Sequence, residues 1–322
     1  MGSQRYLLRK VLHAVLTLFF VLAFNFYLFR VMPGDPYTLL ARSERLSRDQ
    51  INQQIDALGL NDPMVVQFVN YLRDTLTGEL GISVQNGFPV TTLIGERIWP
   101  TTLLVGLSTL LSTVFGLLIG IRGAWRRGST FDTSSLYGSL VLYSMPEGWM
   151  GMLFLLLFAG IWGIFPAGGR QSAQQLTGLA HFADIANHLF LPCLTLTLGY
   201  IGEYAIIMRS SLLEVKNEEF VQTARAKGVR DRDVRWHHAV PNAILPTLTL
   251  VFYSFGFVLG GAIIVERVFS YEGLGSLTYT AIGQLDYPVL EGVFLLSSAA
   301  VILFNLFADI MYGYLDPRIR EA

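Results

Sequence analysis

Six long apolar runs constrain this chain of 322 residues more than any other feature of its sequence. A helix needs roughly 20 apolar residues to cross the hydrocarbon core of a bilayer, which is about 30 Å thick. The runs predict spans at residues 11–31, 100–122, 135–165, 188–208, 243–265 and 289–312. Only 15% of the residues are charged, compared with about 25% in soluble domains. The sequence therefore predicts an all-α, multi-pass membrane protein.

The first apolar run follows Arg5, Arg9 and Lys10, as the apolar core of a secretory signal does. It is longer than a signal core, and it carries no small-x-small cleavage site. We therefore expect this run to be retained as the first membrane helix.

The basic residues predict how the chain crosses the membrane. If there are six spans, the lysines and one arginine cluster lie on the same side; they are Lys10, Lys216, Lys227, Arg122, Arg126 and Arg127. Lys and Arg are enriched in cytoplasmic loops. The termini, residues 1–10 and 313–322, and a polar insert at residues 209–242 are then expected in the cytoplasm. Residues 32–99 and 266–288 are expected on the outer side.

The outer segment after the first run is predicted to be folded and helical. Ser47 and Gln50 have the form of a capping box, and Gly59 is expected to close that helix. A second helix is predicted from Asp62-Pro63 to Gly78, with its apolar residues on one stripe. This helix is expected either to pack against the rest of the chain or to lie on the membrane surface.

The polar insert is predicted to contain two short helices. Asn217 is expected to cap the first, and Gly228 is expected to end it. Acidic residues in its first turn and basic residues in its last turn oppose the helix dipole; they are Glu218, Glu219, Arg225 and Lys227. The second helix is expected from Asp231, its cap candidate, to Ala239, and Pro241 is expected to force a break before the fifth span.

Small residues give the first of these helices a narrow face, formed by Thr223, Ala224 and Ala226. Such a face fits a groove in a partner protein, and an ordinary solvated loop is the alternative. A DNA-binding helix-turn-helix is disfavoured because both ends of the insert are tied to membrane spans. The net charge of −1 is also unlike a nucleic-acid footprint. The sequence thus favours protein docking and predicts no nucleic-acid partner.

Several short motifs occur in a fixed order along the chain. They are Pro33-Gly34-Asp35-Pro36, Gly78-Glu79-Leu80-Gly81, Thr223-Ala224-Arg225-Ala226-Lys227-Gly228, Gly273-Leu274-Gly275 and Asp316-Pro317-Arg318. In this order they resemble the permease subunits of binding-protein-dependent ABC importers of the oligopeptide, dipeptide and nickel type. The general signature of these permeases begins with Glu-Ala-Ala. Gly228 and Pro241 match that signature, whereas Gln222 replaces its leading glutamate.

The resemblance implies an ABC importer permease bundle of six transmembrane helices in a prokaryotic inner or plasma membrane. A second homologous permease would complete the pathway, an extracytoplasmic binding protein would deliver oligopeptides or dipeptides, and two cytoplasmic ATPases would supply energy. The resemblance places the residues that couple to the ATPases in the insert: Glu219, Phe220, Thr223, Ala224, Arg225, Ala226, Lys227, Gly228, His238 and Pro241. Residues that bind substrate are not assigned.

Cofactor chemistry is expected on the partners rather than on this chain. ATP and Mg would bind the ATPase subunits, and the chain contains no Gly-x-x-x-x-Gly-Lys-Ser/Thr sequence. Its five histidines are too scattered to define a metal site. We therefore expect a transport subunit that binds no cofactor or metal and is not itself an enzyme.

Other functions stay open as alternatives. Within the family, nickel or another small substrate is an alternative to peptides. A gradient-driven secondary transporter is less favoured, because it predicts inverted repeats and acids at the membrane centre. An intramembrane hydrolase needs a paired nucleophile and base, but Cys193 and His188 lie off one helical face. Cys193 is instead expected to be a small buried residue.

Two acids within the apolar runs, Glu203 and Asp309, are expected to have structural roles near the ends of their spans. Arg209 and Arg318 lie close to them in sequence.

Glycines and prolines within the runs carry a packing prediction. Gly116 and Gly120 are expected where helices approach closely. Pro146 and Pro192 are expected to mark bends.

Overall fold

The computed structural model describes residues 2–31, 61–174, 176–257 and 262–315, and this part of the chain is mostly helical. The helices are α1 Gly2–Val31, α2 Met64–Thr77, α3 Val90–Trp125, α4 Thr130–Ser144, α5 Glu147–Phe154, α6 Gly178–Val215, α7 Glu219–Ala226, α8 Asp231–Asp233, α9 Val240–Ala243, α10 Leu245–Phe257, α11 Ile263–Val268, α12 Leu274–Gln284 and α13 Tyr287–Leu315. Two π-helical segments complete the order. Segment π1, Leu155–Ile161, continues α5, and segment π2, Val234–Ala239, joins α8 to α9.

Four of the described helices are long and apolar enough to cross a membrane. They are α1, α3, α6 and α13. Two bent pairs pass the same test together: α4 with α5 and π1, which meet at 97°, and the helical stretch from α8 to α9 with α10, which meet at 49°. The described residues therefore hold four spans, or up to six if each bent pair crosses once.

The described residues form two compact units. The first comprises the described residues within 2–99, 262–263 and 273–315, and the second comprises those within 100–257 and 264–272. In the first unit α1 packs along α13, and the C-terminal end of α1 and the N-terminal end of α13 share a core with α12 and the start of α3. Ser83 and Asn86 form a tight turn, and the Ser83 hydroxyl donates to the Asp286 carboxylate. This bond fixes the turn to the connection between α12 and α13.

In the second unit α3, α4 and α6 pack closely. A Cβ atom added at Gly116 would lie 2.7 Å from the Tyr204 Cβ, and one at Gly120 would lie 2.7 Å from the Ala205 carbonyl oxygen. The predicted role of these two glycines in close helix packing is confirmed. Because a methyl group does not fit at such distances, the close approach of α3 and α6 at these two positions requires glycine.

Helices α3 and α6 extend beyond their apolar runs. α3 begins at Val90, ten residues before the predicted start of that span, and Pro100 lies inside it. α6 begins at Gly178 and ends at Val215, so its last turns enter the predicted insert. Hydropathy measures the apolar stretch, whereas a helix continues into polar sequence until a cap or a breaker ends it. The apolar runs therefore underestimate the helix lengths.

Two buried side chains from the segment around α11 contact α3 at Pro100, which lies inside the helix. The Tyr271 hydroxyl donates to the Pro100 carbonyl at 3.2 Å, and the Thr101 hydroxyl donates to Glu266 at 2.9 Å. Burial and the nearby Glu266 raise the pKa of Tyr271 to about 12, so its phenol stays protonated and available as a donor. The sequence placed Glu266 at the start of an outer loop, but Glu266 is fully buried on α11.

The third apolar run is not one continuous helix. It divides at Met145-Pro146, where Pro146 takes an extended conformation at the N-cap of α5. The bend of 97° confirms the predicted effect of Pro146. Pro192, in contrast, lies within the continuous helix α6. The fifth run is also divided, among α9, α10 and α11, with residues 258–261 outside the described part.

Helix α2 confirms the second of the two helices predicted after the first apolar run. Pro63 occupies its N-cap, and Gly78, with a φ of +83°, ends it. Phe68 and Tyr71 pack on Phe26 of α1, with ring centroids 5.2 and 5.5 Å apart. The helix thus packs on the chain itself. The earlier predicted helix, with Ser47, Gln50 and Gly59, lies outside the described residues.

Candidate functional site

Helix α7 forms the first half of the polar insert. It begins at Glu219, and Glu218 occupies the N-cap without a side-chain capping bond. The prediction that Asn217 caps the helix is wrong, because the Asn217 side chain donates back to the Leu213 carbonyl at 3.2 Å. Glu219 in the first turn and Arg225 in the last turn complement the helix dipole of α7.

The end of α7 agrees with the sequence. Gly228 has a φ of +76°, a left-handed conformation that costs glycine little. Its N–H donates to the Arg225 carbonyl at 2.9 Å, and the Val229 N–H donates to the Ala224 carbonyl at 3.2 Å. Gly228 therefore ends the helix as predicted and turns the chain toward α8.

The second half of the insert is helical but differs from its prediction in two details. Arg230, not Asp231, occupies the N-cap of α8. The expected break at Pro241 is also wrong, because the chain stays helical through Ala243 and bends after it. Pro241 lies in the first turn of α9, just after the π-helical segment. A proline is tolerated there because its missing N–H has no partner within that turn.

One side of α7 is buried within the protein. Val221 is 0% exposed and Ala224 is 6% exposed. Both belong to a core cluster formed with the last turns of α3 and α6 and with π2 and α9; its other buried members are Ile121, Ala124, Met208, Leu212, Val234, Ala239, Val240 and Ala243. The insert is therefore fixed to the ends of two long helices by a continuous apolar core.

This packing corrects one predicted docking residue. Ala224 points into the core, so it does not contribute to a face that a partner could contact. The positions 221 and 224 are three apart and lie on one side of the helix. Residues on the other side are exposed: Glu219, Phe220, Thr223, Ala226 and Lys227. Phe220 has 43% of its surface exposed, which is unusual for phenylalanine on a charged helix.

The remaining predicted coupling residues have different environments. Arg225 is exposed at the edge of the buried side of α7, and Gly228 is exposed at the turn. His238 is half-buried in π2, and Pro241 is exposed at the start of α9. Because π2 and α9 pack against α7 through the shared core, these residues belong to one compact element.

Trp125, the last residue of α3, connects the parts of the insert. Its indole N–H donates to the Asp231 carboxylate at 2.7 Å. Three cationic groups lie over its ring: Lys216, Arg225 and Arg235, at 5.3, 5.6 and 5.7 Å from the centroid. Sequence reasoning missed this residue. The available signal was a tryptophan at the end of an apolar run, which typically lies at the membrane interface.

The environment of Lys216 links α6 to the end of α3. Its ammonium group donates to the carbonyls of Ala124 and Trp125, at 3.4 and 3.1 Å. Burial lowers the pKa of Lys216, and the positive charge of Arg225 lowers it further. This lysine therefore satisfies exposed helix-end carbonyls while it lies among other cations.

A buried ion pair ties α4 to α6 at the same end of the second unit. The Arg209 guanidinium donates to Asp132 through Nε at 2.6 Å and Nη2 at 3.0 Å. Asp132 is 3% exposed and also accepts the Gly128 N–H at 2.9 Å. Bidentate pairs of this kind are geometrically specific and strong. Arg209 lies near Glu203 in the sequence, but its partner is Asp132, which is 77 residues away and was not predicted.

Other sequence candidates have structural environments. Cys193 is buried, and its sulfur lies 3.3 Å from the Ser108 hydroxyl. His188 contacts the Asp184 carbonyl through Nδ1 at 2.9 Å. Asp309 forms an ion pair with Lys10 at 2.9 Å, which joins α13 to α1. Arg318 lies outside the described residues.

Two family models match the chain. The family described as binding-protein-dependent transport system inner membrane component matches residues 112–321. A family described as the N-terminal part of a binding-protein-dependent transport system membrane component matches residues 3–105. Together they cover most of the sequence, including the whole insert.

Similar proteins match over nearly their full lengths. The probable peptide ABC transporter permease protein y4tP of Sinorhizobium fredii is 37% identical over 98% of this chain and 99% of that protein. The dipeptide transport system permease protein DppB of Escherichia coli is 33% identical over the same shares. The oligopeptide transport system permease protein AppB of Bacillus subtilis is also 33% identical over 98% and 99%.

A solved structure shares the fold. An inward-facing conformation of the MetNI methionine ABC transporter matches with a TM-score of 0.54 and 19% sequence identity. The match covers 70% of this chain and 96% of the other chain. At this identity the likeness concerns the fold alone.

Proposed function

Because the chain belongs to the family of binding-protein-dependent transport system inner membrane components, we propose that it is a permease subunit of an ATP-driven ABC importer of peptides. The similar proteins of three bacteria are named as permeases for peptides, dipeptides or oligopeptides. Similarity over 98% of the chain supports the same role here. These names favour peptides over nickel as the substrate.

The importer needs partners that this chain does not contain. A second, homologous permease completes the pathway, and an extracytoplasmic binding protein delivers the peptide. Two cytoplasmic ATPase subunits bind ATP and Mg, while this chain binds no cofactor. The permease lies in the inner or plasma membrane of a prokaryotic cell, with both termini in the cytoplasm.

Six crossings are the topology we propose, and contacts within the second unit support it. Helices α3 and α6 run side by side in the same direction, because Ser108 lies against Cys193, Gly116 against Tyr204 and Gly120 against Ala205. Two neighbouring spans can be parallel only if the chain between them crosses the membrane once more. The bent pair of α4 and α5 then supplies that crossing. This topology puts the described residues 61–89, ahead of α3, on the outer side.

The observation that carries the coupling mechanism is the rigid attachment of α7. Its buried side, Val221 and Ala224, shares one core with the last turns of α3 and α6. Since protein cores are close-packed and transmit displacement, a push on α7 moves both helix ends together. ATP binding to the ATPases needs only to favour one arrangement of the permeases over the other.

The exposed side of α7 is the surface that enters a groove of the ATPase. It presents the ring of Phe220 between Glu219 and Thr223, with Ala226 and Lys227 toward the helix end. Small residues allow close approach of the partner, and one exposed aromatic supplies an apolar anchor. His238 and Pro241 extend the surface on the neighbouring segment.

Thr223→Glu tests this assignment. The side chain of Thr223 is exposed, so the variant should fold normally. A carboxylate placed in a desolvated protein interface without a partner should weaken ATPase association at least about tenfold. Peptide-stimulated ATP hydrolysis by the reconstituted transporter, with its partner permease, ATPases and binding protein, should fall accordingly. Co-purification of the ATPase subunits measures the association directly.

The matched control is Ser134→Glu, which adds the same charge at an exposed position of α4. We expect this control to retain association and stimulated hydrolysis. Equal activity of Thr223→Glu and the natural protein would contradict the docking role of α7. Absence of any peptide-stimulated hydrolysis in the natural complex would contradict peptide import itself.

A further inference from the structure

A cluster of three cations around Trp125 has no part in the docking surface of α7. We define the cation cluster as Lys216, Arg225 and Arg235, whose charged groups lie 5.3 to 5.7 Å from the centre of the indole ring. Lys216 and Arg225 are close enough to repel one another, because the positive charge of Arg225 lowers the pKa of Lys216. The carboxylate of Asp231 is near, but it accepts the indole N–H at 2.7 Å. Three cationic groups and one carboxylate, that of Asp231, therefore surround Trp125.

Hydrogen-bond donors of the cation cluster lack partners within the described residues. The Nε of Arg235 is buried and has no hydrogen-bond partner there. Lys216 uses two N–H groups on the carbonyls of Ala124 and Trp125, which leaves its third for another acceptor. A buried donor without an acceptor is unfavourable. An oxyanion between these groups would accept their hydrogen bonds and offset the repulsion.

The cation cluster lies at the ends of two membrane helices, which indicates that a lipid headgroup is the source of the oxyanion. Trp125 is the last residue of the apolar helix α3, and Lys216 follows the last residue of α6. Tryptophan at the end of a span lies at the level of the lipid headgroups. Arg122, Arg126 and Arg127 are exposed nearby in sequence and add positive charge at the same end of α3. The cluster thus lies at the depth of lipid phosphates.

The direction of Arg225 separates the cluster from the docking surface. Its guanidinium lies over Trp125, while Phe220 and Thr223 are exposed on the other side of α7. An acidic group of the ATPase is therefore less well placed than a lipid phosphate to reach all three cations.

We propose that the cation cluster binds the phosphate of an anionic phospholipid, in the leaflet at this end of α3 and α6. Basic pockets at the ends of membrane helices recognise anionic headgroups through the same charges. The bound phosphate links Lys216, which follows α6, to Arg225 on α7 and Arg235 on π2. Lipid charge would then strengthen the attachment of the insert to the spans. The inference requires only that the chain is inserted in a membrane, and it goes beyond peptide import.

Native mass spectrometry of the complete transporter tests the proposal, with phosphatidylglycerol as the probe and phosphatidylcholine as the neutral comparison. The natural complex should bind phosphatidylglycerol more tightly than phosphatidylcholine. Each basic residue near a membrane surface contributes about fivefold to the affinity for anionic lipid, so the double variant Arg225→Gln, Arg235→Gln should lose about 25-fold. The single variant Arg225→Gln, whose side chain is exposed, should lose about fivefold without affecting folding.

The matched control is Arg230→Gln, Arg232→Gln, which removes the same charge from exposed positions of the insert. This control should retain the natural affinity. Charge-preserving Arg225→Lys, Arg235→Lys should keep most of it, which separates charge from packing. Unchanged phosphatidylglycerol affinity in Arg225→Gln and in the double variant would overturn the proposal. Loss of ATPase subunits from these variants with lipid binding intact would overturn it in favour of an acidic ATPase contact. Neither lipid result depends on peptide-stimulated hydrolysis.

Discussion

Single side chains decide which surface of the insert is available to a partner. Ala224 and Thr223 are neighbours in a motif of small residues, yet Ala224 is buried and Thr223 is exposed. The difference follows from the helical repeat, because Val221 and Ala224 lie on the side that meets α3 and α6. A charge introduced at Ala224 would disrupt the core of the insert. A charge at Thr223 tests docking alone.

Gly120→Ala should destabilise the permease. The added methyl group would lie 2.7 Å from the Ala205 carbonyl oxygen, so α3 and α6 must separate. Overpacking of this kind costs about 1–3 kcal/mol. The loss should appear as a lower midpoint of thermal unfolding in detergent.

Gly106→Ala on the same helix is the control for that substitution. No atom lies within 4 Å of the added methyl group at this position. Since alanine is the better helix former, we expect an unchanged or slightly raised midpoint. Equal effects of the two substitutions would contradict the close packing at Gly120.

Contacts between elements hold the insert to the membrane helices. Trp125 at the end of α3 contacts groups from α7, α8 and π2, and the pair Asp132–Arg209 joins α4 to α6. Both contacts lie near the helix ends that carry the insert. Because each joins different helices, they allow the ends of α3, α4 and α6 to move as one body.

The pair Asp132–Arg209 can be measured by a double-mutant cycle. Asp132→Asn should cost about 2–3 kcal/mol of folding free energy, because it leaves a partly buried guanidinium without its partner. Arg209→Gln should cost a similar amount. The double variant should cost less than the sum of the two, by about 1–2 kcal/mol. Unfolding in denaturant measures all three.

The half-exposed acid Asp233 supplies the control for charge removal. Its carboxylate lies 3.8 Å from His237, whose side chain is largely exposed. Asp233→Asn should therefore change stability by less than about 0.5 kcal/mol. Strictly additive effects of the Asp132 and Arg209 variants would show that the contact contributes nothing to the link between α4 and α6.

The arrangement of the whole chain in the membrane follows from the directions of its spans. In the first unit Lys10 pairs with Asp309, and the Asn25 side chain donates to the Glu291 carbonyl at 3.1 Å, so α1 and α13 are antiparallel. Antiparallel first and last spans agree with an even number of crossings. The parallel pair α3 and α6 supports the six crossings proposed above.

Cysteine labelling from one side of the membrane tests the six crossings. The natural Cys193 is buried and should not react. With six spans, a membrane-impermeant maleimide added outside should label Ala173→Cys, and it should leave Arg126→Cys and Asn217→Cys unlabelled until the membrane is opened. All three positions are exposed. Labelling of Ala173→Cys and Arg126→Cys from the same side would contradict the crossing by α4 and α5.

The sequence by itself determined the class of the protein, its four long apolar helices, the helix α2 and the end of α7 at Gly228. These features depend on local physics: apolar length, helical periodicity and the backbone freedom of glycine. The ordered motifs likewise indicated the permease family, which the comparisons confirmed.

Only the tertiary structure decided which residues of the insert are exposed and what holds it in place. Trp125 and Asp231 are 106 residues apart, and Asp132 and Arg209 are 77 apart. No local pattern links such positions, because their contact depends on how α3, α4 and α6 pack. The same packing buries Ala224 and keeps the chain helical through Pro241. Local sequence preference predicts the helices of the insert. Long-range packing decides which side of α7 is exposed.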